Sequence, residues 1–141
     1  MSSFIYNKGK MALLDGSVDL DDDTIKVALV TASYTPDKAD DEFFEDVTNE
    51  VSGTGYAAGG KPLANMQLIQ DDAYNRVIVD ADDTTWPLAA FTTRAVVVYK
   101  DTGEASSSPL IAYLDFENDR VASGEDFTLE WGVNGVFYLG E

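Results

Sequence analysis

Carboxylates dominate the chemistry that this sequence offers. Its 141 residues hold 26 Asp and Glu against nine Lys and Arg, with no histidine and no cysteine. Without imidazole the commonest general base and transition-metal ligand is missing. Without thiols there is no disulfide, no thiolate nucleophile and no cysteine-ligated metal. Paired acids, lysines, phenols and hydroxyls remain. A carboxylate pair is the machinery of a glycosidase, yet among 26 acids some pair falls at any chosen spacing, and none stands out. No serine sits in a G-x-S-x-G turn. The inventory reads as a protein that is not an enzyme and takes no cofactor.

Three motifs come close to a site and fail on their own spacing. Asp19, Asp21 and Asp23 match the first ligands of a calcium-binding EF-hand loop, but Thr24 stands where the sharp turn needs glycine and Val30 where a bidentate glutamate belongs. The acidic group Asp80, Asp82 and Asp83 is a second place where a cation could sit; the stronger reading of both clusters is a solvated turn. Gly55, Gly60 and Lys61 fit the first part of a phosphate-binding P-loop, but Pro62 replaces the magnesium-binding hydroxyl and no buried strand precedes the loop. A fourth possibility is a sugar-stacking platform made from Tyr56, Tyr74, Trp86, Tyr99, Tyr113, Trp131 and Tyr138. Core and edge packing is the stronger reading of these rings.

Charge and composition narrow the partners. A formal charge of −17 repels a phosphate backbone, so nucleic acid is excluded as a partner. With 45% hydrophobic and 11% aromatic residues the chain has the material for a core. No apolar run approaches the roughly 20 residues of a membrane span, and the N-terminal residues lack the apolar core and cleavage site of a secretion signal. The expectation is a soluble protein without a membrane partner.

The elements that would position these residues are mostly strands. Residues 95–99 and 110–114 are unbroken apolar runs rich in β-branched side chains, joined by Asp101, Thr102, Gly103 and a Ser-rich stretch, and predict a central hairpin covered on both faces. Residues 24–34 predict another strong strand. Residues 63–69 and 76–79 predict a hairpin with an acidic turn, and Trp86-Pro87 predicts an edge position. Residues 117–125 read as a polar loop. Residues 127–131 alternate as a half-buried strand, and Asn134-Gly135 predicts a two-residue turn that returns the last strand antiparallel to it. Two short helices are expected: one over residues 4–14 lined by Ile5, Met11 and Leu14, weakened by Gly9 and ended by Gly16, and one after Pro36 that buries Phe43 and Phe44. The fold class is all-β, an antiparallel β-sandwich over one domain, residues 1–141, with one or two short helices and residues 1–15 as an N-terminal arm or short helix.

The succession of residues 6–37 (YNKGKMALLDGSVDLDDDTIKVALVTASYTPD), 53–65 (GTGYAAGGKPLAN), 80–87 (DADDTTWP), 94–103 (RAVVVYKDTG) and 108–116 (SPLIAYLDF) resembles a family of small structural proteins of tailed bacteriophages, those interpreted as capsid cement or decoration proteins. The resemblance implies a jelly-roll-like sandwich, location in the virion on the outer capsid surface after synthesis in the host cytoplasm, and two partners: the major capsid protein, and the chain itself as a homodimer or homotrimer. It carries no catalytic motif. The contact residues come from the sequence itself, as apolar, irregular or exposed segments outside the sandwich: Phe4, Ile5, Tyr6, Lys8 and Lys10 of the apolar N-terminal arm, Gly55, Tyr56, Gly59, Gly60 and Lys61 of the glycine-rich loop, and Thr102 and Gly103 on the exposed hairpin tip. An arm of that kind would be removable without loss of stability. The alternative is a carbohydrate-binding sandwich or a tail or head-fibre component for host adhesion.

Overall fold

The computed structural model describes residues 3–140; Met1, Ser2 and Glu141 lie outside the described residues. The apolar runs form the predicted hairpin at the centre. Strand β6 (Thr84–Lys100) pairs antiparallel with β7 (Leu110–Leu129), with Val97 opposite Tyr113 and Ala95 opposite Asp115. On its other side β6 pairs with β2 (Ile25–Val30), Leu29 opposite Val96. Two-residue strands close the edges, β1 (Phe4–Ile5) beside β7 and β3 (Lys61–Pro62) beside β2, giving the order β1-β7-β6-β2-β3. A second antiparallel sheet has the order β4-β5-β8, from β4 (Gln67–Asp71), β5 (Arg76–Asp80) and β8 (Phe137–Gly140). The protein is all-β and sandwich-like, as expected.

Period-two alternation divides the large sheet between two cores. Val27, Leu29, Val96, Val98 and Ile111 face one, which the small sheet closes through Val79 and Phe137 and helix α1 (Asn7–Leu14) through Ala12. Ala28, Val30, Ala95, Val97, Tyr99 and Tyr113 face the other, which is covered by Tyr6, Tyr34, Phe44 and Val47. The central strands are therefore buried on both sides, which is why their sequence runs apolar without alternation.

Several expectations need correcting. Met11 and Leu14 of α1 point to solvent, 64% and 84% exposed, while Gly9 and Ala12 face inward. The reason is close approach: a Cβ on Gly9 would lie 2.7 Å from the Ile111 carbonyl oxygen. Ile5 belongs to β1, not to the helix. After Pro36 only a 3-10 turn forms, Phe44–Asp46, because Asp37, Asp41 and Asp46 turn their carboxylates onto nearby backbone amides and compete with helical hydrogen bonds. Residues 117–125 are not a loop but the middle of β7, held by the partner strand with Phe91 opposite Ala122. Trp86 is fully buried opposite Phe127, and Pro87 falls where the β6–β7 register shifts, so its missing N–H interrupts no regular ladder. Strand β4 begins only at Gln67.

The last strand also goes elsewhere. β8 pairs with β5, Val79 opposite Phe137, and not with the end of β7, which returns to Thr84–Trp86 of β6. Gly135 has φ of 65°, but Asn134 is not among the left-handed residues, so the two-residue hairpin turn does not form. A Cβ on Gly135 would sit 2.4 Å from the Val79 carbonyl oxygen. Glycine there lets the chain lie against β5 and switch sheets.

Candidate interaction surface

The sequence-nominated residues separate into three places. Phe4 and Ile5 form β1, opposite Tyr113 and Ala112. Tyr6 is fully buried; its hydroxyl lies 2.8 Å from that of Tyr34, which donates to Asp41 at 2.7 Å. The N-terminal segment is thus sheet and core, not a free arm. Lys8 is exposed and pairs with Glu42 at 3.3 Å; Lys10 is exposed on α1.

The glycine-rich loop is bound down. Tyr56 donates to Glu50 at 2.5 Å and accepts from the Leu29 amide, and the Gly59 amide donates to the same Glu50 carboxylate at 2.7 Å. Burial pushes the Tyr56 phenol up, and Glu50 adds to the shift. Where a P-loop turns amides toward phosphate, this loop gives its amide to its own carboxylate. Gly60 lies flat on β2, where a Cβ would meet the Val27 oxygen, and Lys61 donates to the Thr85 carbonyl at 2.7 Å. Gly55 packs against residues 87–89.

Gly59 and Gly103 meet at a cleft of about 330 Å³ floored by Phe44, Tyr99 and Lys26. Its charges serve one another: Lys26 pairs with Asp101 at 2.8 Å. That lysine, with the Gly103 amide, holds the Asp101 carboxyl below the usual carboxylate range. Phe44 stacks on Tyr99 at 4.1 Å, so neither ring offers that face to a sugar. Thr102 at the hairpin tip shares its hydroxyl with Ser107 and Ser108.

The acidic clusters bond locally. Asp23 accepts from the Asp19 amide and pairs with Lys100; Asp19 accepts from the Asp21 amide. The Asp19 amide, with Lys100 beside it, keeps the Asp23 carboxyl low. Asp80 accepts from the Ala81 amide and Asp82 from Asn65. Among the described residues no trio of acids is arranged to hold a metal ion. The expected aromatic platform is not assembled either. Trp86, Tyr99 and Tyr113 are buried, and the exposed Tyr74 and Tyr138 lie against the Arg76 guanidinium at 5.0 and 4.9 Å.

No protein-family model matches the chain, and neither a curated protein nor a solved structure matches it. The surface itself must say what the molecule meets.

One region stands out that the sequence did not single out as a whole. Of the eleven exposed large hydrophobic residues among the described residues, Leu68, Ile69, Tyr74, Val77, Tyr138 and Leu139 belong to the small sheet and its β4–β5 turn. Beside β8 runs a groove of about 470 Å³, whose other wall is β1 and Leu114. Phe4 and Ile5 are consecutive in a strand and point to opposite faces, as do Phe137 and Tyr138; all four line the groove. What the groove exposes is therefore the edge of each strand. β1 and β8 each end their sheet's order, with no neighbour on that side among the described residues. Ser3, Asn134, Gly135 and Val136 complete the lining, in which no residue is charged. The available signal was the absence of charge over residues 131–140 in a chain that is 25% charged. That pattern also fits an ordinary core strand.

Proposed function

We propose that this chain is a structural protein of a tailed-bacteriophage particle, most simply a cement protein that lies on the outer surface of the major capsid protein shell. The observation that carries the reading is the exposed apolar small sheet beside two open strand edges, on a body that is otherwise acidic. Large apolar patches on a charged surface are where proteins meet partners, and open edges are templates for strand pairing. Neighbouring clefts spend their polar groups on internal bonds, which suits a protein that works by contact. The resemblance of residues 6–37, 53–65, 80–87, 94–103 and 108–116 to phage cement proteins supplies the partner. A cement protein stabilises a shell by mass action, binding the assembled lattice in preference to free subunits. A charge of −17 favours the outside of the shell over the side that faces packaged DNA. The carbohydrate-binding alternative loses its main support, since Trp86 is buried.

The test is made on particles. Purified virions should contain the chain at a copy number near that of the capsid protein, and particles lacking it should release their DNA at lower temperature. A few copies per particle would move it to the tail or neck and overturn the cement role.

A further inference from the structure

We propose that Asn134 is a self-modification site: the Gly135 backbone amide closes on the Asn134 side chain and expels ammonia, and the Arg76 guanidinium promotes the closure. The inference goes beyond the assembly reading and concerns the isolated chain, so either can fail while the other stands.

Two observations select this asparagine. The first is the residue that follows it. Ring closure brings a backbone nitrogen against the side-chain carbonyl carbon, and a Cβ on the following residue crowds that approach. Asn7, Asn49, Asn65, Asn75 and Asn118 precede Lys8, Glu50, Met66, Arg76 and Asp119, all with side chains; Asn134 alone precedes a glycine. It is exposed, in the turn before β8, and the Gly135 amide makes a long bond, 3.3 Å, to the Gly132 carbonyl. A nucleophile so weakly engaged is ready to react.

The second is the group on the amide oxygen. Arg76 Nη1 donates to Asn134 Oδ1 at 2.9 Å. The guanidinium does not depend on Asn134 for its place, because Nε donates to Asp71 at 2.9 Å and the rings of Tyr74 and Tyr138 lie 5.0 and 4.9 Å from it. A fixed donor at that oxygen stabilises the negative charge that gathers there when the carbon is attacked.

The reaction balances with water alone. Hydroxide takes the Gly135 amide proton, the nitrogen attacks Asn134 Cγ, and the Cγ–Nδ2 bond breaks as Nδ2 gains a proton from water and leaves as ammonia. Water then adds to either carbonyl of the cyclic imide, giving aspartate or isoaspartate. One water is consumed and one ammonia released per chain.

The position gives the event a consequence. The groove beside β8 is lined by Asn134 and by no charged residue, so either product brings the first carboxylate into it. Isoaspartate also adds a carbon to the main chain directly before Gly135, where there is no slack. A Cβ on Gly135 would sit 2.4 Å from the Val79 carbonyl oxygen, and the Val136 amide donates to that same oxygen at 2.7 Å. Ageing therefore loosens the join between β5 and β8.

Peptide mapping of the purified full chain, incubated near neutral pH and sampled over weeks, tests this. The expected result is the mass gain of an amide-to-acid exchange at Asn134, at least about tenfold faster than at any other asparagine, with methyl groups accepted there from a protein-isoaspartate methyltransferase. Asn134→Gln, whose longer side chain disfavours closure, should abolish the change at that position. Arg76→Met should slow it about tenfold by removing the donor to the developing oxyanion, with far-ultraviolet circular dichroism confirming the fold. If Arg76 merely stiffened the turn, its loss would speed closure instead. The acidic product, separated by anion exchange, should exchange its β8 amides earlier than fresh protein. No conversion at Asn134, or conversion no faster than at the other five asparagines, overturns the proposal. So does a folded Arg76→Met variant that converts as fast as the parent chain or faster.

Discussion

Phenol groups close the interior of this protein. Tyr6 and Tyr34 bond to each other and to Asp41, Tyr56 bridges Glu50 and the Leu29 amide, and Tyr99 donates to the Gly59 carbonyl. Each ring fills core while its hydroxyl satisfies a backbone or carboxylate group that would otherwise be stranded. Tyr34→Phe removes the centre of one such chain and leaves the Tyr6 hydroxyl and the Asp41 carboxylate each short of a partner. The expected cost is about 1–3 kcal/mol in urea unfolding, with the m-value unchanged. Burial pushes the phenols of Tyr6, Tyr34, Tyr56, Tyr99 and Tyr113 above the ordinary value of 10.0. The folded state therefore holds these protons more tightly than the unfolded one, so their contribution to stability is complete below pH 10 and is lost as pH climbs above it. The absorbance of these five phenolates should appear in one step that coincides with loss of circular dichroism. A gradual rise while the fold persists would show that the rings are open to solvent.

At the scale of elements, glycine contacts decide which strand goes where. Gly135→Ala places a methyl group against the Val79 carbonyl and the Ile78 side chain, and Gly135 also carries φ of 65°. It should cost about 2–4 kcal/mol and detach β8 first, visible as early hydrogen exchange of its amides. Gly103→Ala meets nothing within 4 Å and pays only for its φ of 96°, about 1 kcal/mol. Equal losses would mean that β8 is not held by this approach. The same contacts explain what was legible beforehand. The runs at 95–99 and 110–114 announced a doubly buried hairpin, because burial on both faces leaves its mark in every residue. The middle of β7 carried no such mark, since between Glu117 and Glu125 only Ala122 is buried and pairing with β6 alone makes it a strand. The face of α1 was misjudged because close packing on β7 selects Gly9 and Ala12, not the larger Met11 and Leu14. Of the site, Phe4 and Ile5 were named for being apolar near the N-terminus, but the β8 wall depends on a sheet switch that Asn134-Gly135 argues against locally.

For the molecule as a whole the charge sets both stability and orientation. Five ion pairs join described residues, among them Lys26–Asp101, Arg76–Asp71 and Lys100–Asp23. Partly exposed pairs of this kind contribute about 0–1 kcal/mol each and weaken as salt rises. Against them stands the mutual repulsion of a net −17 on 141 residues, which salt also screens, with a Debye length of about 10 Å at 0.1 M. The two effects have opposite signs, and the excess of acids makes repulsion the larger. Thermal unfolding of the full chain should therefore shift upward with salt. A gain of about 1 kcal/mol between ~20 mM and ~500 mM NaCl corresponds to a rise in Tm of roughly 3 °C for a chain of this size. The same rise should occur in potassium chloride, because screening depends on ionic strength and not on which monovalent cation is present. A fall in Tm would mean that the five pairs outweigh the field of the acids.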